Sequence, residues 1–159
     1  MEQSKPITFV ECDFNNAAHL DALVMLVNEY IQDDMGGGEI VEGFQKLKLV
    51  DGLNNHPAKY IIFAIVENQA VGLAICFEMF STFAQKPTIN IHDLIVKKEF
   101  RNHGIGTGLL QQIAFFATEK KCSKITLEVR EDNTIAHILY IQQGFKPCNP
   151  NMLFWQKKL

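Results

Sequence analysis

Residues 101–108 read Arg-Asn-His-Gly-Ile-Gly-Thr-Gly, between the apolar run Ile91-His92-Asp93-Leu94-Ile95-Val96 and the helix-period segment Leu109 to Lys120. The layout is a strand, a glycine-rich turn and a helix N-terminus. Glycines let backbone N–H groups come close to a ligand, and the first turn of a helix has N–H groups without internal partners, so an anion is drawn there. A phosphate-bearing ligand suits the spot, although helix caps and ordinary turns use glycine as well.

Two familiar phosphate loops fit less well. A P-loop ends in Gly-Lys-Ser/Thr, whereas Gly108 is followed by Leu109. A dinucleotide fingerprint needs G-x-G-x-x-G, and Gly104, Gly106 and Gly108 are spaced G-x-G-x-G. Glu128 falls about where a ribose-binding acid would stand. The fingerprint, however, opens its fold, and here several strand-like segments precede the loop.

The 159 residues suit one domain, read as 1–159 without linkers or repeats. The chain is 47% hydrophobic, with twelve Phe and a net charge of −3. A surface of that charge argues against nucleic acid as the main ligand. No apolar stretch reaches the ~18 residues of a membrane span, and Met1 to Pro6 lacks the basic-then-apolar layout of a signal peptide. The expectation is a cytoplasmic protein with no membrane partner. Cys12, Cys76, Cys122 and Cys148 are widely spaced, with no His at zinc-ligand spacing, so neither a disulfide framework nor a metal site is signalled.

Along the chain, Pro6 to Cys12 alternates as a first strand. Asn15 then caps a helix whose stripe is Leu20, Leu23, Val24, Val27 and Ile31. A second helix is expected over Glu39 to Leu53, then strands over Tyr60 to Val66 and Val71 to Phe80, joined by a hairpin turn at Glu67 to Ala70. Ile89 to Val96 is the next strand, followed by the loop and its helix. Ile125 to Val129 is a strand and Asn133 to Gln143 a helix stopped by Gly144. Phe145 and Met152 to Gln156 supply the closing strands. The expected order is β-α-α-β-β-β-α-β-α-β-β, a mixed α/β fold.

Arg101, Gly104 and Gly106 form R-x-x-G-x-G, which resembles the acyl-CoA pyrophosphate loop of the GNAT (Gcn-related N-acetyltransferase) superfamily. Asn133, Ala136, Tyr140 and Gly144-Phe145 resemble that superfamily's N-x-x-A-x-x-x-Y-x-x-x-G-F segment, and the element order is similar over nearly the whole chain. Phe80-Ser81-Thr82-Phe83 adds a weaker likeness to the diamine or polyamine acetyltransferase branch.

The resemblance implies acetyl-CoA as co-substrate, no metal, and transfer of its acetyl group to a primary amine by direct attack. A free alkyl amine has a pKa near ~10.4 and must lose a proton to attack, while the departing thiolate must gain one. Tyr140 is the tyrosine that the pattern assigns as the thiolate's proton donor; the bland alternative is a core aromatic. Asn133 is a helix cap, a cofactor contact, or both. The resemblance further implies that backbone groups of Leu94, Ile95 and Val96 flank the thioester, and that Asn102, His103, Gly104, Ile105, Gly106 and Thr107 hold the pyrophosphate. Arg101 either braces that loop or touches phosphate, and His103 has a solvated-loop alternative.

The base is less determined. Strand alternation puts Asn90, His92, Leu94 and Val96 on one face and Ile91, Asp93 and Ile95 on the other. His92 stands where the polyamine branch has a glutamate ahead of its aspartate, a departure from that pattern; imidazole chemistry suits the role, and a satisfied strand histidine is the bland alternative. Glu78 and Glu128 are the runners-up. Asp33, Asp34, Glu39 and Glu42, around Met35-Gly36-Gly37-Gly38, are read either as a solvated loop or as a mobile acidic lip for a cationic amine, with Glu78, Asp93 and Glu128 as further acceptor-side residues. The acceptor is a small-molecule or peptidyl amine, and a homodimer is left open. A non-catalytic acyl-CoA-binding module and a nucleotide-binding oxidoreductase are the competing functions.

Overall fold

The computed structural model describes residues 5–159; Met1 to Ser4, on which part of the leader expectation falls, lie outside them. In chain order come Thr8–Glu11 (β1), Ala17–Ile31 (α1), Gly43–Asn55 (α2), Lys59–Val66 (β2), Gln69–Ser81 (β3), Lys86–Val96 (β4), Ile105–Glu119 (α3), Ile125–Leu127 (β5) and Thr134–Gln142 (α4). A short 3-10 turn, Lys98–Phe100, precedes the glycine loop.

The strands form one sheet in the order β1-β2-β3-β4-β5, antiparallel except for the parallel β4–β5 pair. The β2–β3 turn is the two residues Glu67 and Asn68, both with positive φ (49° and 63°), the geometry that matches the twist of a tight hairpin. Asn16, one residue beyond the expected cap, accepts from the Ala18 N–H at 3.0 Å and starts α1.

Each face of the sheet carries its own core. Ile62, Ala64, Ala74, Cys76, Ile89 and Ile91 pack against Ile105, Leu109, Leu110 and Ile113 of α3, with Leu139 and Tyr140 of α4 alongside. On the opposite face Ile61, Phe63, Leu73, Ile75 and Ile95 meet Leu23 and Leu26 of α1 and Leu53 of α2. Burial of these side chains, each contributing roughly 1.5–3 kcal/mol, fixes both helix pairs to the sheet.

Two departures from expectation alter the sheet. Residues 145–159 form no strand, so the described order ends at α4 and the two closing strands are absent. Pro147 and Pro150 lack the N–H that a ladder requires, and Met152, Leu153, Phe154 and Trp155 are exposed. The second departure is a β-bulge. Pairing of β3 with β4 passes from Ile75↔Asp93 to Cys76↔Ile91 and leaves His92 without a partner. The extra residue reverses the alternation, so Ile91, not His92, shares the α3 face with Leu94 and Val96. Asp93, opposite Ile75, lies on the α1 face with Ile95.

Candidate active site

The parallel β4–β5 ladder runs from Ile89↔Ile125 to Ile91↔Leu127 and stops, while β4 continues to Val96. From His92 onward that edge of β4 has no strand beside it. A cavity of about 1160 Å³ occupies the opening. Its walls come from Tyr30 at the end of α1 on one face, α4 on the other, and His92 to Val96 and Leu127 to Val129 between them. The cavity thus reaches both faces of the sheet.

At one end lies the glycine loop. Helix α3 begins four residues earlier than the periodicity suggested, at Ile105, with Gly104 as N-cap. Gly104 has φ 78°, a left-handed conformation that a β-carbon strains, and a Cβ built there meets nothing within 4 Å. The first internal bond of the helix runs from Gly108 N–H to Gly104 C=O at 2.9 Å. The amides of Ile105, Gly106 and Thr107 therefore have no helical acceptor, and all three residues line the cavity together with Arg101, Asn102 and Gly104. This is an anion cradle of backbone N–H groups with the positive end of a 15-residue helix behind it. His103 does not line it; its Nδ1 sits 2.7 Å from the Arg101 carbonyl and its side chain is exposed.

Arg101 is a brace. Its Nε donates to the Val96 carbonyl at 3.0 Å and its Nη2 to Asp33 Oδ2 at 2.6 Å. The guanidinium beside Asp33, helped by the Met35 N–H at 3.0 Å, holds that carboxyl below the usual carboxylate range.

Across the cavity, Asn133 caps α4 through its side chain, accepting from the Ala136 N–H at 3.2 Å, and also faces the opening. Two helical turns later Tyr140 faces it as well. Its ring packs near Phe145 at 5.8 Å between centroids, and its hydroxyl has no hydrogen-bond partner among the described residues. Burial, with a smaller contribution from Tyr30, pushes its phenol up to about 12, so it stays a proton donor.

The acceptor-side expectations divide. Asp33, Asp34, His92 and Glu128 line the cavity, as do Leu94, Ile95 and Val96. Glu78 does not: it sits 3.6 Å from Lys120, on the α3 side of the sheet. Asp93 does not line it either. The bulge carries it to the α1 face, where burial raises its carboxyl pKa against the lowering effect of His92. His92 itself is turned toward Phe77, 5.6 Å away edge-on, and keeps an exposed side chain at the cavity wall. The acidic lip is pinned rather than loose, because Asp33 is paired with Arg101 and the Gly36 N–H bonds to the Asp33 carbonyl at 2.8 Å. Of the two aspartates, only Asp34 is left without an ion-pair partner among the described residues. Tyr30 lines the site, and its sequence signal is masked because it continues the apolar spacing of α1.

The cradle can hold a pyrophosphate, and the open edge of β4 can meet the amide groups and carbonyl of a pantetheine thioester. Burial raises the thiols of Cys12, to about 11, and Cys76, to about 12, and neither borders the cavity. Among the described residues, no group of three His, Cys, Asp or Glu side chains is placed to hold a metal ion, and no helix is long and apolar enough to cross a membrane.

Comparison with known proteins agrees with this geometry. An uncharacterized N-acetyltransferase of Archaeoglobus fulgidus is 32% identical over 87 residues, 54% of this chain and 59% of that protein. The bovine thialysine N-epsilon-acetyltransferase is 34% identical over 74 residues, 46% of this chain and 43% of that protein. The chain therefore spans about half the length of these relatives. A ribosomal protein bS18-alanine N-acetyltransferase of Haemophilus influenzae is 30% identical over 105 residues, 65% of this chain and 67% of that protein. Among solved structures, a probable acetyltransferase superposes with a TM-score of 0.80 at 19% identity, covering 97% of this chain and 98% of that one. The aminoglycoside N-acetyltransferase AAC(6')-Iy in complex with CoA gives 0.77 at 16% identity, covering 100% and 99%. These two likenesses establish the shared fold. The profile described as the Acetyltransferase (GNAT) family matches residues 24–145, and the chain belongs to that family.

Proposed function

We propose that residues 1–159 form one N-acetyltransferase domain that moves the acetyl group of acetyl-CoA directly to a primary amine of a small cationic molecule or peptide. One observation carries this reading: the helix-terminal cradle at Gly104 to Thr107, the unpaired edge of β4 and the unpartnered Tyr140 hydroxyl all border one cavity. Relatives named for thialysine and aminoglycoside acetylation support an amine acceptor.

Acetyl-CoA supplies a thioester, an activated acyl donor. In this reading the amides of Ile105, Gly106 and Thr107 bind its pyrophosphate, and the β4 edge from Leu94 to Val96 aligns the thioester, one backbone N–H stabilising negative charge on its oxygen. The Tyr140 Oη donates a proton to the leaving sulfur. A phenol is a weaker acid than a thiol and burial widens the gap here, so the proton moves only as the sulfur gains charge late in the step. His92 takes the amine's proton, directly or through water, from the β4 wall between the two phenols. No cysteine borders the cavity, which supports direct attack over an acyl-enzyme.

Release of free thiol from acetyl-CoA, measured across polyamines, aminoglycosides, amino acids and lysine peptides, tests the proposal. Amine-dependent release is expected. Tight acetyl-CoA binding without release for any amine overturns it and leaves a non-catalytic acyl-CoA-binding module.

A further inference from the structure

We propose that Tyr30 is a specificity residue of this site, its hydroxyl accepting a hydrogen bond from the substrate amine and holding it in the cavity. The inference rests on the acetyltransferase reading above and assigns the amine-binding role to a residue outside both the R-x-x-G-x-G loop and the Asn133 to Phe145 segment.

Three features converge on it. Tyr30 closes the α1 side of the cavity, opposite Tyr140 on the α4 side. Its ring packs against the core beneath α1, yet its hydroxyl has no hydrogen-bond partner among the described residues, although buried tyrosine hydroxyls usually find one. No fully enclosed polar side-chain atom among the described residues is left unpaired, so this hydroxyl is not sealed in the core, and Tyr30 borders the cavity. The cavity therefore presents two unpartnered phenols, one from each face of the sheet.

The backbone holds Tyr30 in place. A Cβ on Gly36 would stand 1.7 Å from the Tyr30 carbonyl oxygen, so the glycine run folds onto the last turn of α1 in a way that admits no side chain. The Asp33 N–H donates to the same carbonyl at 3.1 Å. Tyr30 is thus seated by the turn that also places Asp33 against Arg101.

Its surroundings select for a cation. The charged and titratable groups near enough to act electrostatically on the phenol are the carboxylates of Asp93 and Asp33, the Arg130 guanidinium and the Tyr140 phenol. Arg130 is engaged by Asp132 at 2.7 Å and Asp33 by Arg101. Burial first, then Asp93 and Asp33, raises the Tyr30 phenol, which stays protonated and neutral. A neutral hydroxyl accepts from an amine N–H, and Asp34, the lining aspartate without an ion-pair partner among the described residues, favours a positively charged substrate over a neutral one.

The test is Tyr30→Phe, which keeps the ring and removes only the oxygen. Steady-state kinetics with sisomicin, thialysine and a peptide bearing an N-terminal alanine are expected to show KM for the best amine raised about tenfold. The KM for acetyl-CoA should hold, with kcat within threefold. Tyr140→Phe should give the opposite split, a loss in kcat at constant KM. Calorimetric titration of the same three amines into the CoA-loaded protein separates the two proposals. If wild-type protein binds an amine but transfers nothing, the acetyltransferase reading fails, and a tenfold weaker Kd in Tyr30→Phe still supports the role of Tyr30. An unchanged amine KM and Kd, equal weakening of acetyl-CoA, or no binding of any of the three amines to wild-type protein overturns it.

Discussion

Asp33, at the end of α1, and Arg101, ahead of α3, stand 68 residues apart in the chain and meet at 2.6 Å between Oδ2 and Nη2. The pair joins the turn after α1 to the glycine loop ahead of α3. Because Arg101 also bonds the Val96 carbonyl, one guanidinium ties together α1, β4 and the helix N-terminus.

Breaking that tie has a pH signature. The Asp33 carboxyl is lowered in the folded protein, so its contribution is present above the unfolded carboxylate pKa of ~3.9 and is lost as pH falls through the folded value. Arg101→Ala should destabilise the protein at pH 7 by on the order of 1 kcal/mol, the pair being partly screened by solvent. The difference from wild type should shrink toward pH 3. Thermal melts at both pH values check this, and a pH-independent difference would show that Asp33 does not sense the guanidinium.

The two loop glycines should fail for different reasons. Gly104→Val puts a β-branched residue at φ 78° with open space around it, so it should weaken acetyl-CoA binding at least tenfold, ~1.4 kcal/mol, through the altered cradle. In Gly106→Val the new Cβ meets Leu139 Cδ2 at 3.0 Å, so this variant should also loosen α4 and lower the melting temperature. Calorimetry with acetyl-CoA beside thermal melts distinguishes the two.

Tyr140→Phe should lower kcat roughly 10²-fold with acetyl-CoA affinity nearly unchanged, the pattern of a proton donor used in the transition state. With its phenol pushed up to about 12, Tyr140 should add no basic limb to the rate profile below pH 10. A basic limb in wild type that vanishes in the Phe variant would contradict this.

For His92 the measurement is kcat/KM with the best amine: His92→Ala should remove most of it, and His92→Glu should restore part. A full rate in the Ala variant would move the base to Glu128, which also lines the cavity.

What the residue string revealed and what it hid follow from how local each demand is. The loop at Gly104 and the cap at Asn133 answer to backbone constraints within a few residues, and both were legible. The bulge at His92 depends on how β4 seats against β3, a relation between residues far apart in sequence, so simple alternation placed His92 on the wrong face. Tyr30 was hidden by its spacing, which is that of a core stripe; its role follows from where α1 ends relative to the gap in the sheet. Alternation from Met152 to Gln156 looked like a strand, yet pairing requires a neighbour, and none is formed there.

The opening between β4 and the segment after Leu127 is lined from both faces of the sheet, by the glycine loop and Tyr140 and by Tyr30 and Asp34. An inhibitor can exploit that passage as a whole. A conjugate linking CoA through a short acyl tether to a cationic amine would thread it from face to face. Joining the two halves removes the entropy loss of gathering them separately, so the conjugate should bind more tightly than either half alone.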